Sequence, residues 1–400
     1  MSVDSVSQPR PARERALRLI VSGGGTGGHT YPALTTVRAL RNLLAADGRD
    51  LEVLWVGTAD SLEERVATAE GIAFKPVATG KIRRSGNPLK MVSAANVRDM
   101  GRVPLGAAQA RSIVSDFRPD VVLATGGYVA VPIGLAAKMC GRPLVVHEQT
   151  VRLGLANKAL ARVAARFAVS SPSTIELLPE AARRTAVVTG NPVRPELLSG
   201  HKDKAVQALG LHGFDPSLPC VYITGGAQGS VQINTLVQQN LPWLLSQANV
   251  VHQCGPVSLQ ELRTGAAALP PELASRYHLT EFVGPELADV LALADVVVSR
   301  SGAGTIAEIT ALGKAAVLIP LASSAGNEQA HNAGHLDQAG AAVALLGEVT
   351  AERLRAAVAP LLADPALRAR IGERARAHGR PDAADRLVDL LLATAVEHAS

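Results

Sequence analysis

The sequence predicts an α/β protein of two related halves, each a parallel sheet covered by helices on both faces. Three observations predict it. Short runs made almost wholly of Val, Leu and Ile alternate with amphipathic stretches of helical period, the pattern of strands buried on both sides. Glycine-rich loops follow those runs directly, and the tripeptide Thr-Gly-Gly opens such a loop at Thr26, Thr125 and Thr224. A repeated strand, glycine loop and helix is the unit of a Rossmann-type half.

The elements follow in order. After a polar leader, Leu17 to Val21 reads as a buried strand, Ser22 to His29 as its glycine loop, and Tyr31 to about Ala45 as a helix. Leu51 to Val56, Val121 to Ala124 (ending in TGGY) and Leu144 to Val146 (ending in HEQ) continue the first sheet. The pattern restarts at Val221 to Thr224, which runs into GGAQGS and a helical stretch from Val231 to Leu241. Asp295 to Ser299 with the loop RSGAGT, and Ala316 to Ile319, belong to the same second sheet. Between the halves lies GNPVRPE, Gly190 to Glu196, whose two prolines and glycine favour a linker. The Ala-, Leu- and Arg-rich tail from Ala351 to about Ala395 has helical periodicity and is expected to fold back across the hinge. The chain therefore divides into a polar leader 1–15, a first domain 16–192, a second domain 193–380 and a final helix 381–400 that returns to the first domain.

Length and composition agree with this plan. At 400 residues, 47% hydrophobic, 19% charged and 3% aromatic, the chain suits two soluble domains rather than a disordered or fibrous protein. The cysteines Cys140, Cys220 and Cys254 are odd in number and lack CxxC spacing. That pattern suggests neither a disulfide framework nor a structural zinc site, and fits a reducing cytosol. No apolar run approaches the ~20 residues of a membrane span, and Met1 to Arg15 lacks the apolar core of a signal peptide. The net charge of +5 favours an anionic partner. Without clustered aromatics or an arginine-rich tract, nucleic acid is not the partner expected.

The glycine loops carry the chemistry. Gly23, Gly25 and Gly28 satisfy GxGxxG, so a nicotinamide-dependent oxidoreductase has to be weighed. Such a site also wants an acidic residue at the end of the second strand, whereas Leu51 to Val56 runs into Gly57 and Thr58, and Asp60 lies too far on. What remains is more general: glycines let backbone amides approach an anion, and the following helix adds its unpaired N–H groups, so a phosphate-bearing ligand is favoured. One such loop can be merely a tight turn. Several at strand ends in both halves point to the ligand edge of open α/β sheets.

His29, at the end of the first loop, suits a general base near neutral pH, or a histidine that only bonds loop backbone. Glu308, early in the helix after RSGAGT, can accept from ribose hydroxyls or simply favour the helix dipole. Gln329 and Asn332 share one helical face and can read sugar hydroxyls or stay solvated. Thr79 to Val92 combines Lys81, Arg83, Arg84 and Lys90 with Ile82, Leu89 and Met91. It reads either as a segment that docks on anionic lipid or as a solvated basic loop.

GGTGGH at Gly24 to His29, TGGYV at Thr125 to Val129, HEQ at His147 to Gln149 and GNPVR at Gly190 to Arg194 form an ordered set with GGAQGS at Gly225 to Ser230, ADVVVSRSGAGTIAE at Ala294 to Glu308 and NEQAHNA at Asn327 to Ala333. The set, which spans nearly the whole chain after the leader, closely resembles the MurG family. These bacterial transferases add N-acetylglucosamine from UDP-GlcNAc to lipid I, making lipid II for peptidoglycan. The resemblance implies a GT-B architecture whose first domain takes the acceptor and docks on the membrane, and whose second takes most of the UDP-sugar. It implies that Thr26, Gly27, Gly28 and Arg194 approach the donor, that Ala303, Gly304, Thr305 and Glu308 hold phosphates and ribose, and that Val283 offers backbone to the uracil. It further places Gln329 on the GlcNAc hydroxyls, with Asn332 and Thr150 counted in the donor site, and His29, Tyr128 and Glu148 at positions implicated in acceptor binding or catalysis. Departures stand out. Thr150 follows HEQ where the family commonly has Asn, Ala227 replaces a usual Ser while Ser230 follows as a substitute phosphate ligand, AVP follows TGGYV, and Glu328 stands where Gln is frequent.

The resemblance implies an inverting transfer to the muramyl 4-hydroxyl, giving a β-1,4 bond, with His29 as base and helix N-termini with Arg194 stabilising the leaving diphosphate. No metal or other cofactor is expected. Expected partners are UDP-GlcNAc, lipid I, anionic inner-leaflet lipids and other cell-wall or division proteins, at the cytoplasmic face of the membrane. A non-hydrolysing UDP-GlcNAc 2-epimerase, an NAD-linked oxidoreductase and a noncatalytic membrane adaptor are the alternatives.

Overall fold

A computed structural model describes residues 15–79 and 94–399 of the chain. The leader before Arg15 and the membrane candidates Lys81, Ile82, Arg83, Arg84, Leu89, Lys90 and Met91 lie outside the described residues.

The first sheet has seven parallel strands: β1 Leu17–Gly23, β2 Leu51–Gly57, β3 Ala73–Pro76, β4 Val121–Gly126, β5 Leu144–Glu148, β6 Arg166–Val169 and β7 Ala186–Val188, in the order β3-β2-β1-β4-β5-β6-β7. The second has six: β8 Cys220–Thr224, β9 Asn249–Gln253, β10 Tyr277–Thr280, β11 Val296–Ser299, β12 Ala315–Leu318 and β13 Val343–Ala344, in the order β10-β9-β8-β11-β12-β13. In each sheet the winding direction reverses beside the first strand, between β1 and β4 and between β8 and β11. The loops leaving those two strands part there and open a crevice, the place where such sheets bind ligands. The glycine loops of the sequence occupy these reversal points in both halves.

The central strands are buried on both faces, as their unbroken apolar runs require. Every residue of β4, β5 and β8 is buried, and full burial of a Val, Leu or Ile contributes about 1.5–3 kcal/mol each. One face of the first sheet is closed by an element from the far end of the chain. Leu387, Val388, Leu391 and Ala395 of the helix Ala383–Ala399 share a core with Leu19, Val37 and Leu40, and Arg166 pairs with Glu397 at its rim.

The chain thus crosses between the halves twice, near Gly190 and near Arg380, and the crossings touch. A Cβ on Gly190 would lie 2.5 Å from that of Arg380, and Gly190 holds φ at +87°. Both conditions call for glycine. The tail, continuous in helical period, is cut into three helices, Ala351–Ala363, Pro365–His378 and Ala383–Ala399. Asp364 caps the second through the amides of Ala366 and Leu367, with Pro365 at its first position. Gly379 and Pro381 end it.

Candidate functional site

In the first half the loop after β1 closes around a carboxylate. Glu63, from the helix Leu62–Ala69, is fully buried and accepts from the amides of Gly25 (3.1 Å) and Thr58 (3.2 Å). A Cβ on Gly24 would fall 2.2 Å from the Glu63 carboxyl carbon, so only glycine admits it. An acidic residue beyond β2 does reach this loop, but it serves the backbone. The helix Gly27–Ala46 begins next, its N-cap Thr26 making no side-chain capping bond. His29 N already donates to Thr26 O (3.2 Å), which leaves the amides of Gly27 and Gly28 as those of the first turn without an intrahelical acceptor.

His29 sits in that first turn. Thr125 Oγ1 donates to its carbonyl (2.9 Å), and a Cβ on Gly126, whose φ is +112°, would lie 2.8 Å from the imidazole. The second Thr-Gly-Gly therefore makes room for the histidine of the first. Tyr128, just beyond, is exposed.

His147, Glu148, Gln149 and Thr150 are all buried at the end of β5. The Glu148 carboxylate accepts from Gly154 N (2.8 Å), Asn157 Nδ2 (3.0 Å) and Thr150 N (3.3 Å). Burial pushes its pKa above the ordinary range, and those bonds oppose the shift. The Thr150 hydroxyl lies 3.0 Å from Glu148 Oε1 and 2.6 Å from Arg152 O, so it closes this loop. Gln149 Oε1 stands 3.0 Å from His29 Nδ1. Sequence reading assigned no role to Gln149, since nothing local signals that its partner lies in the first glycine loop.

Across the crevice, Arg194 of the linker donates to Glu308 Oε1 at 3.2 Å. Glu308 lies in the helix Ala303–Leu312, whose first turn contains Ala303, Gly304 and Thr305 and whose N-cap Gly302 offers no side chain. Burial raises the Glu308 pKa and Arg194 works against that rise. Ser230 caps the helix Val231–Gln247 through Ile233 N and accepts from Arg300 Nη2 at 2.6 Å. Arg300 also donates from Nη1 to Ile319 O and Pro320 O, which sets a cation at the C-terminal end of β11 and β12. Gln253 donates from Nε2 to Thr224 Oγ1 and Gly226 O and accepts at Oε1 from Val283 N (2.9 Å). The N–H of Val283 is therefore already engaged. Arg300 and Gln253 went unassigned in the sequence, although polar residues at the end of apolar runs were the available signal.

Gln329 accepts at Oε1 from Leu321 N, and its carbonyl accepts from Ser301 Oγ. Asn332 is buried with both ends of its amide in use. Nδ2 donates to Ser301 O (3.1 Å), and Oδ1 accepts from Val151 N (3.3 Å) in the other half. Neither is the freely solvated side chain that one reading allowed. Beside this bridge a cavity of about 350 Å³ is lined by Gln149, Asn191, Ala303, Asn332 and Arg380 among others. Glu328, in the second half, lies within electrostatic reach of His29. Burial raises its pKa foremost, while the charge of His29 lowers it and that of Glu148 raises it. The structure thus gathers His29, Glu148 and Thr150 from the first half and Glu328 and Asn332 from the second along one interdomain crevice.

Comparison with known proteins agrees with this geometry. Residues 19–169 match the glycosyltransferase family 28 N-terminal domain and residues 220–387 the family 28 C-terminal domain. The UDP-N-acetylglucosamine--N-acetylmuramyl-(pentapeptide) pyrophosphoryl-undecaprenol N-acetylglucosamine transferase of Desulforudis audaxviator is 35% identical, over 94% of this chain and 98% of that protein. Its namesake from Halorhodospira halophila is 38% identical, over 92% and 96%. Among solved structures, MurG of Acinetobacter baumannii superposes with a TM-score of 0.72 at 26% identity, covering 94% of this chain and 99% of that one. A UDP-GlcNAc 2-epimerase from Neisseria meningitidis superposes at 0.61 with 16% identity over 94% of this chain and all of that one, a likeness of fold alone. The chain has the GT-B architecture and belongs to family 28 of the glycosyltransferases, among the MurG enzymes.

Proposed function

We infer that the crevice carries out the reaction for which the relatives are named: N-acetylglucosamine passes from UDP-GlcNAc to the 4-hydroxyl of the MurNAc unit of lipid I, with inversion, giving the β-1,4 bond of lipid II. The observation that carries this reading beyond kinship is that the helix Gly27–Ala46, which bears His29, packs against the helix Ala303–Leu312 of the second half, while the charge of His29 reaches Glu328. A base faces a set of groups suited to a departing diphosphate.

In this reading His29 takes the proton of the attacking hydroxyl while the oxygen bonds to the anomeric carbon and the sugar–phosphate bond breaks toward UDP. Thr26, Gly27 and Gly28 present first-turn amides to the donor from one side. Ala303, Gly304, Thr305 and Ser230 present theirs from the other, with Arg194 and Arg300 supplying positive charge. Glu308 receives the ribose hydroxyls once Arg194 turns to phosphate, and Val283 meets the uracil through its carbonyl. Gln329 meets the sugar, and Asn332 and Thr150 hold the flanking loops around it. Tyr128 and the Glu148 loop form the acceptor side.

The division of labour puts the acceptor on residues 16–192 and the donor on 193–380, with 381–400 returned to the first domain. Lipid I lies in a membrane, and among the described residues no helix is long and apolar enough to cross one. The protein docks instead at the cytoplasmic face through Lys81, Ile82, Arg83, Arg84, Leu89, Lys90 and Met91, whose cations meet anionic headgroups. Other cell-wall or division proteins meet it there.

The deciding experiment is UDP release from UDP-GlcNAc with and without a lipid I analogue. Acceptor-dependent release is expected. Release without acceptor, or UDP-ManNAc from UDP-GlcNAc alone, refutes the reading. His29→Ala should lower kcat by about 10²–10⁴-fold with UDP affinity little changed. Binding to vesicles rich in anionic lipid should be lost when Lys81, Arg83, Arg84 and Lys90 are neutralised.

A further inference from the structure

A row of hydrogen bonds runs from the linker to His29, and its polarity can be read without ambiguity. It begins at the carbonyl of Gly190, which can only accept. His147 Nε2 lies 2.9 Å from it, so that nitrogen carries the proton. His147 is fully buried and its pKa is lowered to about 4 by that burial, so near neutral pH Nδ1 holds a lone pair. Gln149 Nε2 stands 3.1 Å from this Nδ1 and 2.9 Å from the His147 carbonyl. Two acceptors face one end of the amide, so that end is the NH₂ group. Reversing the amide would set oxygen against a carbonyl and a lone pair together. Oε1 must then face His29 Nδ1 at 3.0 Å, and the bond forms only if Nδ1 is the donor.

We propose that Gln149 and His147 are positioning residues that hold His29 in its Nδ1–H tautomer, so that Nε2 keeps its lone pair for the acceptor hydroxyl. This deepens the reading of His29 as base and rests on it. Free imidazole favours the opposite tautomer modestly, so without the row much of the neutral His29 would present a proton where a lone pair is needed. The carbonyl of Gly190 directs the row and the amide of Gln149 transmits it. No proton need move along it.

Nitrogen-15 NMR of histidine-labelled whole protein, with the His29 signals identified by their loss in His29→Gln, reads the tautomer directly and without activity. Nδ1–H with a lone pair on Nε2 is expected, and Nε2–H overturns the proposal. Gln149→Met should abolish the preference and lower kcat about tenfold or more while leaving the KM for UDP-GlcNAc within about twofold. If the preference is lost but kcat is unchanged, the role of the row in catalysis is overturned together with His29 as base, whereas the wrong tautomer in the unaltered protein refutes the row alone.

Gln149→Glu gives a second variant of nearly the same shape. A carboxylate oxygen can only accept, and a protonated carboxyl would keep its O–H on the two acceptors of His147, so His29 should still carry its proton on Nδ1 in this variant. A His29 that carries its proton on Nε2 in Gln149→Glu overturns the proposal.

Discussion

After β1 the loop Gly23–Gly28 folds around a carboxylate, whereas after β8 the loop Gly225–Ser230 stands beside a guanidinium. The two share a strand, a run of glycines and a helix, and at the level of residues they look like repeats. Yet Glu63 already engages the amide of Gly25, while in the second loop the Ser230 hydroxyl is bonded by Arg300. The same backbone plan is closed by an internal anion in one half and left cationic in the other. On the proposed reading, an external diphosphate would be drawn to the second loop and would reach the first only through the turn that starts the helix Gly27–Ala46.

Removing the internal anion is the strongest way to break this contrast. Glu63→Ala removes the acceptor of two part-buried amides and empties a fully buried side-chain site, and a hydrogen bond to a charged group contributes about 1.5–3 kcal/mol. Denaturant unfolding should report a loss of roughly 3 kcal/mol, with the KM for UDP-GlcNAc within twofold. A rise in that KM at unchanged stability would mean that Glu63 belongs to the donor site after all. Arg300→Met should raise the donor KM by about tenfold or more, since a hydrogen bond to a charged group contributes about 1.5–3 kcal/mol, and leave the acceptor KM alone. Arg300→Lys should recover only part of it, because an ammonium cannot replace the guanidinium fork.

Ser230→Ala is gentler. Loss of the cap costs about 1 kcal/mol, and a modest rise in the donor KM is expected from losing a hydroxyl beside the phosphates. Unchanged kinetics would end the idea that Ser230 compensates for Ala227. The effect that touches neither substrate is on acid stability, where the halves behave alike. His147 and His252 are buried, and burial lowers their pKa values to about 4 and about 3. The unfolded chain takes a proton on each near pH 6.5 that the folded chain does not, so stability present above that pH is lost as pH falls. The loss runs to about pH 4 for His147 and on to about pH 3 for His252. His252→Gln should flatten the slope of unfolding free energy against pH by about one proton between pH 6 and 4.

The strands named from sequence, such as Leu144 to Val146 and Val221 to Thr224, were legible because central strands buried on both faces need unbroken apolar runs. Edge and polar strands were not. β9 reads Asn-Val-Val-His-Gln, yet it is wholly buried. His252 pairs with Asn234 and Tyr277, and Gln253 with Thr224, Gly226 and Val283, so tertiary partners make polar residues fit inside. β13 is two residues long and has no period to detect. The candidate site divides in the same way. His29, Ser230 and Thr305 announce themselves by following glycine loops, whereas Gln149, Gln253 and Arg300 take their meaning from residues dozens of positions away. The tail was legible in period but not in its breaks, which follow from Asp364-Pro365 and Gly379-Arg380-Pro381.

The contact between Gly190 and Arg380 limits how the enzyme can move. Two bodies tied at neighbouring points swing about the line through those ties and do not slide past one another. In any swing about that line the mouth of the crevice would travel farther than its floor, and Gly190 lines the cavity at that floor. A side chain at position 190 would collide with Arg380 and Ala383 at this pivot.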